Sequence, residues 1–248
     1  MKYLKTYEEV TITFKDNNFV DIVQYACRNN NIKLIKYIVE TDIRLDNTHL
    51  EWIIPTLIEK QSYDSDQVYK DKVKILNYII DNKVNSVNDL EEYIINNVFS
   101  LSDKESRYKL LELFINKGLI VKDKNYLKRE LLNNFPFINV IKILVENGAI
   151  VNNKHIYRIF SHYNQTQATN QAIEIIKYLL ENFDISNIKD FEEKVNYNTW
   201  KKVNVYDVIE ETKKKTQKYN KLINMLKINF PDFYDEINIR ASTKKYNL

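Results

Sequence analysis

Three histidines, one cysteine and a few adjacent acidic pairs are the side chains of this 248-residue chain best suited to chemistry. His155 and His162 stand seven residues apart, a spacing that sets both near one face of a helix. A zinc site needs three or four ligands, and no cysteine or close acidic cluster joins them or His49. We read His155 as an exposed or capping residue at a helix start, not as a metal ligand. Cys27 lies in an apolar stretch and reads as a small core residue, not a nucleophile. As the only cysteine it forms no intrachain disulfide and suits a reducing compartment. The pairs Glu8-Glu9, Glu91-Glu92, Glu192-Glu193 and Glu210-Glu211 point about 100° apart on a helix, a poor arrangement for acid–base work. The only glycines are Gly118 and Gly148, which leaves no Gly-rich phosphate loop, and no serine sits between glycines as a nucleophile elbow requires. The expectation is a non-enzyme with no catalytic residue, no cofactor and no metal.

One cluster mixes basic and aromatic residues. Lys201-Lys202 and Lys213-Lys214-Lys215 lie near Tyr197, Trp200, Tyr206 and Tyr219, a mixture that can hold phosphates and stack bases. Glu210 and Glu211 interrupt it, and the pI is only about 8.6. The net charge is +3, and residues 186–248, with 13 Lys+Arg against 9 Asp+Glu, carry all of the excess. A solvated helix face is the better reading. A nucleic-acid-binding repeat is the alternative, and it predicts salt-dependent binding that needs Lys213–Lys215.

The elements that would position such residues repeat along the chain. Leu110 to Gly118 and Val140 to Gly148 are each an apolar run, a polar residue or two, then a glycine where a helix would stop. The same frame recurs at Leu34–Asp42, Ile75–Lys83 and Ile175–Phe183. Aligned at Glu40, Asp81, Asn116, Glu146 and Glu181, the copies are spaced by 41, 35, 30 and 35 residues, within the range of stacked helical repeats. Each frame has helical periodicity, as in Ile32, Ile35, Ile38 and Val39. A second apolar stretch precedes each one: Val20–Cys27, Leu50–Ile58, Leu90–Phe99, Tyr126–Leu132 and Ile156–Tyr163. The unit is a pair of helices, and stacking buries the faces that a lone pair leaves open.

The segment Ala26-Cys27-Arg28-Asn29-Asn30-Asn31-Ile32 to Glu40 resembles the middle of an ankyrin repeat. Val140 to Asn152 resembles the outer helix and hairpin entry of the same repeat, and is the more specific match. No Thr-Pro-Leu-His motif opens an inner helix, and extra residues stand between helices at Gln61–Asp71 and His162–Asn170. Degenerate arrays of this kind are similar to those of large DNA viruses, and the Asn/Ile/Lys/Tyr bias fits an AT-rich genome. The resemblance covers roughly 19–186 and implies an all-α, ankyrin-like α-solenoid. Residues 1–18 are expected to form an N-terminal cap, with strand-like alternation at Val10–Phe14. Residues 187–248 are expected to form a diverged helical repeat and cap: a pair at Asn204–Ile209 and Tyr219–Ile228, a stop at Pro231, then a short segment with a frayed tail.

The resemblance implies a non-catalytic protein–protein interaction scaffold that holds an unknown protein, a host protein if the source is viral, along its concave face and hairpin tips. By position the tips are Thr41–Asn47, Asn82–Asn88, Leu119–Asn125 and Ala149–Lys154. The inner-helix candidates are Trp52, Tyr93, Tyr126, His155, Tyr157 and Arg158, and Tyr, Trp and Arg are frequent interface anchors. A second alternative is an adaptor whose tail, around Asn229–Ile237, recruits ubiquitin-ligase machinery. The start lacks the apolar core of a signal peptide and no run nears 18 apolar residues, so no membrane partner is expected. A monomer in the cytoplasm, the host's if the source is viral, completes the expectation.

Overall fold

The computed structural model describes residues 19–41, 44–59, 64–122, 125–133, 136–165, 170–184, 191–196, 199–203, 206 and 220–246. Among these the fold is all-α except for one two-stranded hairpin. The N-terminal strand run, the Asn204–Ile209 element apart from Tyr206, and Lys213–Lys215 lie outside the described residues. No described helix is long and apolar enough to cross a membrane. The chain divides into two compact units, Met1–Ile120 and Val121–Leu248.

In the first unit the order is α1 (Phe19–Arg28), α2 (Ile32–Glu40), α3 (Asn47–Ile58), α4 (Asp66–Asn82), a 3₁₀ turn (Val87–Leu90), α5 (Glu91–Tyr93), a π-helical turn (Ile94–Val98) and α6 (Lys104–Asn116). The second unit holds α7 (Tyr126–Leu132), α8 (Ile138–Glu146), α9 (Asn153–Gln165) and α10 (Asn170–Glu181). After these come β1 (Phe191–Asn196), β2 (Thr199–Val203), α11 (Asn220–Asn229) and α12 (Pro231–Tyr246).

All five expected frames are the second helices of pairs: α2, α4, α6, α8 and α10. Their buried residues follow the i, i+3, i+4 rule, as in Ile35, Ile38 and Val39 of α2 or Val140, Ile141 and Leu144 of α8. Each face removes three to five aliphatic or aromatic side chains from water, the larger ones about 1.5–3 kcal/mol apiece before the entropy of ordering is counted. Within each unit, first helices pack beside first helices (α1 with α3, α7 with α9) and second beside second (α2 with α4, α8 with α10). Helices α1–α4 and α7–α10 therefore each form two layers, first helices in one and second helices in the other.

The helix ends explain the two glycines. Gly118 has φ +95° and Gly148 φ +99°, the left-handed region that an L side chain resists. The Gly118 N–H donates to Ile115 O at 2.9 Å, and the Leu119 N–H to Phe114 O at 2.9 Å. Gly148 to Val145 and Ala149 to Leu144 repeat this double bond at 3.0 Å each. It is the Schellman closure of a helix. Asn30, φ 47°, makes the same closure after α1, with Asn30 N–H to Cys27 O at 3.0 Å and Asn31 N–H to Ala26 O at 2.8 Å.

Side chains also tie consecutive pairs of the first unit together. Lys83 Nζ donates to Thr41 O at 2.8 Å, and Lys117 Nζ reaches Asp81 Oδ1 at 2.6 Å. The Asn88 amide donates to Gly118 O at 3.1 Å and accepts from the Ile120 N–H at 2.9 Å. Deeper, Lys72 Nζ lies 2.7 Å from Asp64 Oδ2, both side chains essentially excluded from water. Lys72 also donates to Glu59 O at 2.9 Å, and Asn30 Nδ2 to Asp64 Oδ1 at 2.9 Å. This network fixes the chain before α4 against the turn between α1 and α2.

Four expectations change. Half of the extra stretch Gln61–Asp71 is helix, because Ser65 caps α4 by accepting from the Val68 N–H. The second extra stretch is likewise part helix, since α9 runs on through Gln165. Between 187 and 248 the chain forms a hairpin as well as helices, and Glu192 stands opposite Lys202 and Glu193 opposite Lys201 in its register. Finally, α11 stops at Asn229 ahead of Pro231, as expected, but the segment that follows is not a short frayed one. Pro231 opens α12 at the first helical position, where its missing N–H costs nothing.

Candidate functional site

In the first unit the first helices carry two of the expected residues, Trp52 and Tyr93, in two separate grooves. Arg28 of α1 lies over the Trp52 ring of α3 with its guanidinium carbon 5.3 Å from the centroid, a cation–π contact that joins neighbouring helices. Trp52 is half-buried and lines a groove of about 390 Å³ with Glu51, Pro55 and Thr56. Cys27 lies at the edge of the same groove, is buried, and has its thiol pKa raised by that burial. This matches its reading as a core residue.

Tyr93 of α5 is half-buried, and its hydroxyl faces Asn47 O at 3.5 Å. Burial first, then the carboxylates of Glu51 and Glu92, raise its pKa. It lines a groove of about 640 Å³ with Arg44, Asp46, Asn47, Asn85 and Asp89. The groove runs between the segments expected as the first two tips and the helix starts beside them. Asp42 and Ile43 of the first tip, and Asp123 and Lys124 of the third, lie outside the described residues.

Both histidines whose side chains are described close helix starts. Asp46 Oδ1 accepts from the His49 N–H at 3.1 Å, while the Asp46 N–H faces His49 Nδ1 at 3.2 Å. His49 Nδ1 also lies 2.6 Å from Asp46 Oδ1, and the Phe19 ring packs 4.8 Å from the imidazole. Asn152 Oδ1 accepts from the His155 N–H at 3.3 Å, and the Asn152 N–H donates to His155 Nδ1 at 3.3 Å. These reciprocal bonds are capping boxes with histidine in the third helical position. The readable signal was Asp or Asn three residues before His. The His162 side chain lies outside the described residues.

The second unit carries the other four candidates. His155, Tyr157 and Arg158 are half-buried on α9. Burial, then the nearby charges of Arg158 and Lys128, lower the His155 pKa to about 4, against a bond with the Ile150 backbone that works the other way. The imidazole is neutral at neutral pH. Tyr126 is a correction: it is fully buried at the start of α7 and belongs to the core, not to a partner-facing surface. An aromatic at that helical position serves either purpose, and the pattern alone does not separate them.

The tail around Asn229–Ile237 is folded rather than a free strip. Phe233 and Ile237 are buried, the Phe233 ring packs 5.6 Å from Tyr206, and Arg240 stacks 4.1 Å over Tyr206. Burial, then Glu236, raise the Tyr206 pKa. No group of three or more His, Cys, Asp or Glu among the described residues is placed to hold a metal ion. No family model, no curated protein and no solved structure matches this chain.

Proposed function

We propose that the chain is a non-catalytic scaffold of ankyrin-type helix pairs that binds a protein partner through its first helices and the segments just before them. One observation carries the reading. In each unit first helices pack side by side, and Trp52, Tyr93, Tyr157 and Arg158 stay partly open to solvent on them. Aromatic and arginine anchors on a rigid surface are what protein recognition uses.

Two further observations support the ankyrin type. Both glycine-closed helices are followed by an alternating segment, with Leu119 and Val121 or Ala149 and Val151 buried and Ile120 or Ile150 exposed between them. The capping boxes Asp46-Asn47-Thr48-His49 and Asn152-Asn153-Lys154-His155 put a histidine last, as the missing Thr-Pro-Leu-His motif does. The nucleic-acid alternative loses ground at Lys201 and Lys202, which the hairpin register sets opposite glutamates.

The test is capture from lysate on the immobilised full chain, with and without nuclease, for the native protein and for Trp52→Ala/Tyr93→Ala. The expected result is a discrete set of proteins that survives nuclease and thins with the double variant. Recovery that vanishes with nuclease or modest salt, or no retained protein at all, overturns the scaffold reading.

A further inference from the structure

The groove between α1 and α3 of the first unit collects acceptors that have no donors. The two helices pack together, and Arg28, Glu51, Trp52, Pro55 and Glu59 are among the residues that line the groove. Glu51, Pro55 and Glu59 follow one another at i, i+4 and i+8, along one face of α3. Glu51 and Glu59 are exposed, and among the described residues neither carboxylate meets a cation or a hydrogen-bond donor.

Pro55 adds a third acceptor. It stands inside α3 and has no N–H, so the Glu51 carbonyl lacks the donor that a helix normally supplies four residues on. Trp52 stands between the two glutamates in sequence and is half-buried. Its indole N–H can only donate, and it has no acceptor among the described residues. Arg28 is the one cation among the lining residues. Its guanidinium donates to Gln24 Oε1 at 3.3 Å and lies 5.3 Å over the Trp52 ring. Two carboxylates against one guanidinium leave the groove net negative.

The larger groove beside Tyr93 differs. There Asp46 is taken up by the His49 N–H at 3.1 Å, and Asp89 by the Ser86 N–H at 3.2 Å. The acceptors of the α1–α3 groove have no such use within the fold. Lysine and arginine side chains carry donors and positive charge only, and their methylene stems cover apolar surface such as Trp52 and Pro55. Phosphates and acidic peptides are repelled by the same carboxylates. Glu51 and Glu59, eight residues apart on α3, are separated by about 12 Å along its axis. An extended peptide covers that distance in about four residues, with its side chains i and i+4 on one side.

We infer that the α1–α3 groove is a docking site for an extended basic peptide segment of a protein partner, with lysine or arginine side chains about four residues apart that meet Glu51 and Glu59. The inference rests on the scaffold reading and deepens it by naming the partner's chemistry. One cation also donates to the Glu51 carbonyl, and a main-chain carbonyl of the peptide accepts from the Trp52 indole.

The experiment selects a random dodecapeptide phage library on the immobilised full chain. The leading peptide is then measured by fluorescence anisotropy against the native chain, Glu51→Lys/Glu59→Lys, the isosteric Glu51→Gln/Glu59→Gln, and Trp52→Ala. Glu105→Lys/Glu146→Lys makes the same charge change at exposed residues outside the groove and serves as control. Each variant is checked for native circular dichroism. The expected result is enrichment of sequences with Lys or Arg about four residues apart. Binding should weaken about tenfold or more in Glu51→Lys/Glu59→Lys, about threefold or more in Glu51→Gln/Glu59→Gln and Trp52→Ala, and further as salt rises. It should stay unchanged in Glu105→Lys/Glu146→Lys. No enrichment, enrichment without basic bias, native affinity in any of the three groove variants, or an equal loss in the control overturns the inference. Self-association in sedimentation that Glu51→Gln/Glu59→Gln dissolves overturns it in favour of a second copy of the chain. If Glu51→Lys/Glu59→Lys still retains the native set of lysate proteins, the basic-peptide site fails while the scaffold stands. If the native chain retains no protein, the scaffold has failed and the inference falls with it.

Discussion

Acidification from pH 7 to pH 5 protonates His155 in the unfolded chain while the fold holds the ring largely neutral, and that difference costs stability. The imidazole is half-buried, flanked by Lys128 and Arg158, and its Nδ1 accepts from the Asn152 N–H. Its pKa in the fold is about 4, against 6.5 for the free side chain. The folded value lies below the unfolded one, so the unfolded chain takes up the proton more readily. Stability is therefore complete above about pH 6.5 and falls as the pH drops toward 4. Linkage puts the loss at about 0.2 kcal/mol at pH 7 and about 2 kcal/mol at pH 5, and solvent screening trims the latter to between about 1 and 2 kcal/mol.

The perturbation to pair with acidification is His155→Gln. Glutamine is an ordinary capping-box residue at the third helical position and keeps a group that reaches back to the Asn152 N–H. Urea unfolding of both proteins at pH 7 and pH 5 gives two pH differences, and subtraction removes the other histidines and the carboxylates. The native chain should lose about 1–2 kcal/mol more than the variant. Equal losses, or an NMR titration midpoint for His155 above pH 6, would refute the argument that burial and neighbouring cations hold the ring neutral.

Three other perturbations have defined outcomes. Asp64→Asn strands the Lys72 ammonium in a site from which both partners are excluded from water, and should cost about 3–5 kcal/mol in urea unfolding. Lys72→Met/Asp64→Leu removes both charges and should be less destabilised than Asp64→Asn. Gly118→Ala and Gly148→Ala should each cost about 1–2 kcal/mol. A Cβ at 118 meets nothing within 4 Å, and one at 148 meets only Lys122 Cβ at 3.6 Å, so the penalty is conformational and similar at both sites in thermal unfolding. Cys27 should react with a thiol reagent many times more slowly in native protein than in denaturant, because burial raises its pKa and limits access. Equal rates would remove it from the core.

The second helices were readable because one signal, apolar spacing ended by a polar residue and a helix stop, is local. Val140 to Gly148 contains its own helix, its buried face and its closure. The hairpin was not readable in the same way. Its pairing links positions such as Glu192 and Lys202, and neither strand has a glycine turn or strict alternation to announce it. Tyr126 failed for another reason: which side of a short helix meets the core depends on the neighbours packed against it. The capping boxes were legible in principle, since Asp46 and Asn152 each stand three residues before a histidine.

The cross-links between pairs in the first unit carry a consequence for divergence. Lys83 bonds to the carbonyl of Thr41, Asn88 to the main chain of Gly118 and Ile120, and Tyr93 to the carbonyl of Asn47. A main-chain acceptor is present whatever side chain its residue bears. Through these links a pair asks its neighbour for a backbone position, whereas Lys117 with Asp81 and Arg28 with Trp52 ask for particular residues. Thr41, Ile120 and Asn47 can be exchanged for other residues while these links persist, so at those positions a pair can drift in sequence without coordinated change next door. An array assembled in this manner keeps its stacking long after its repeats have ceased to resemble one another.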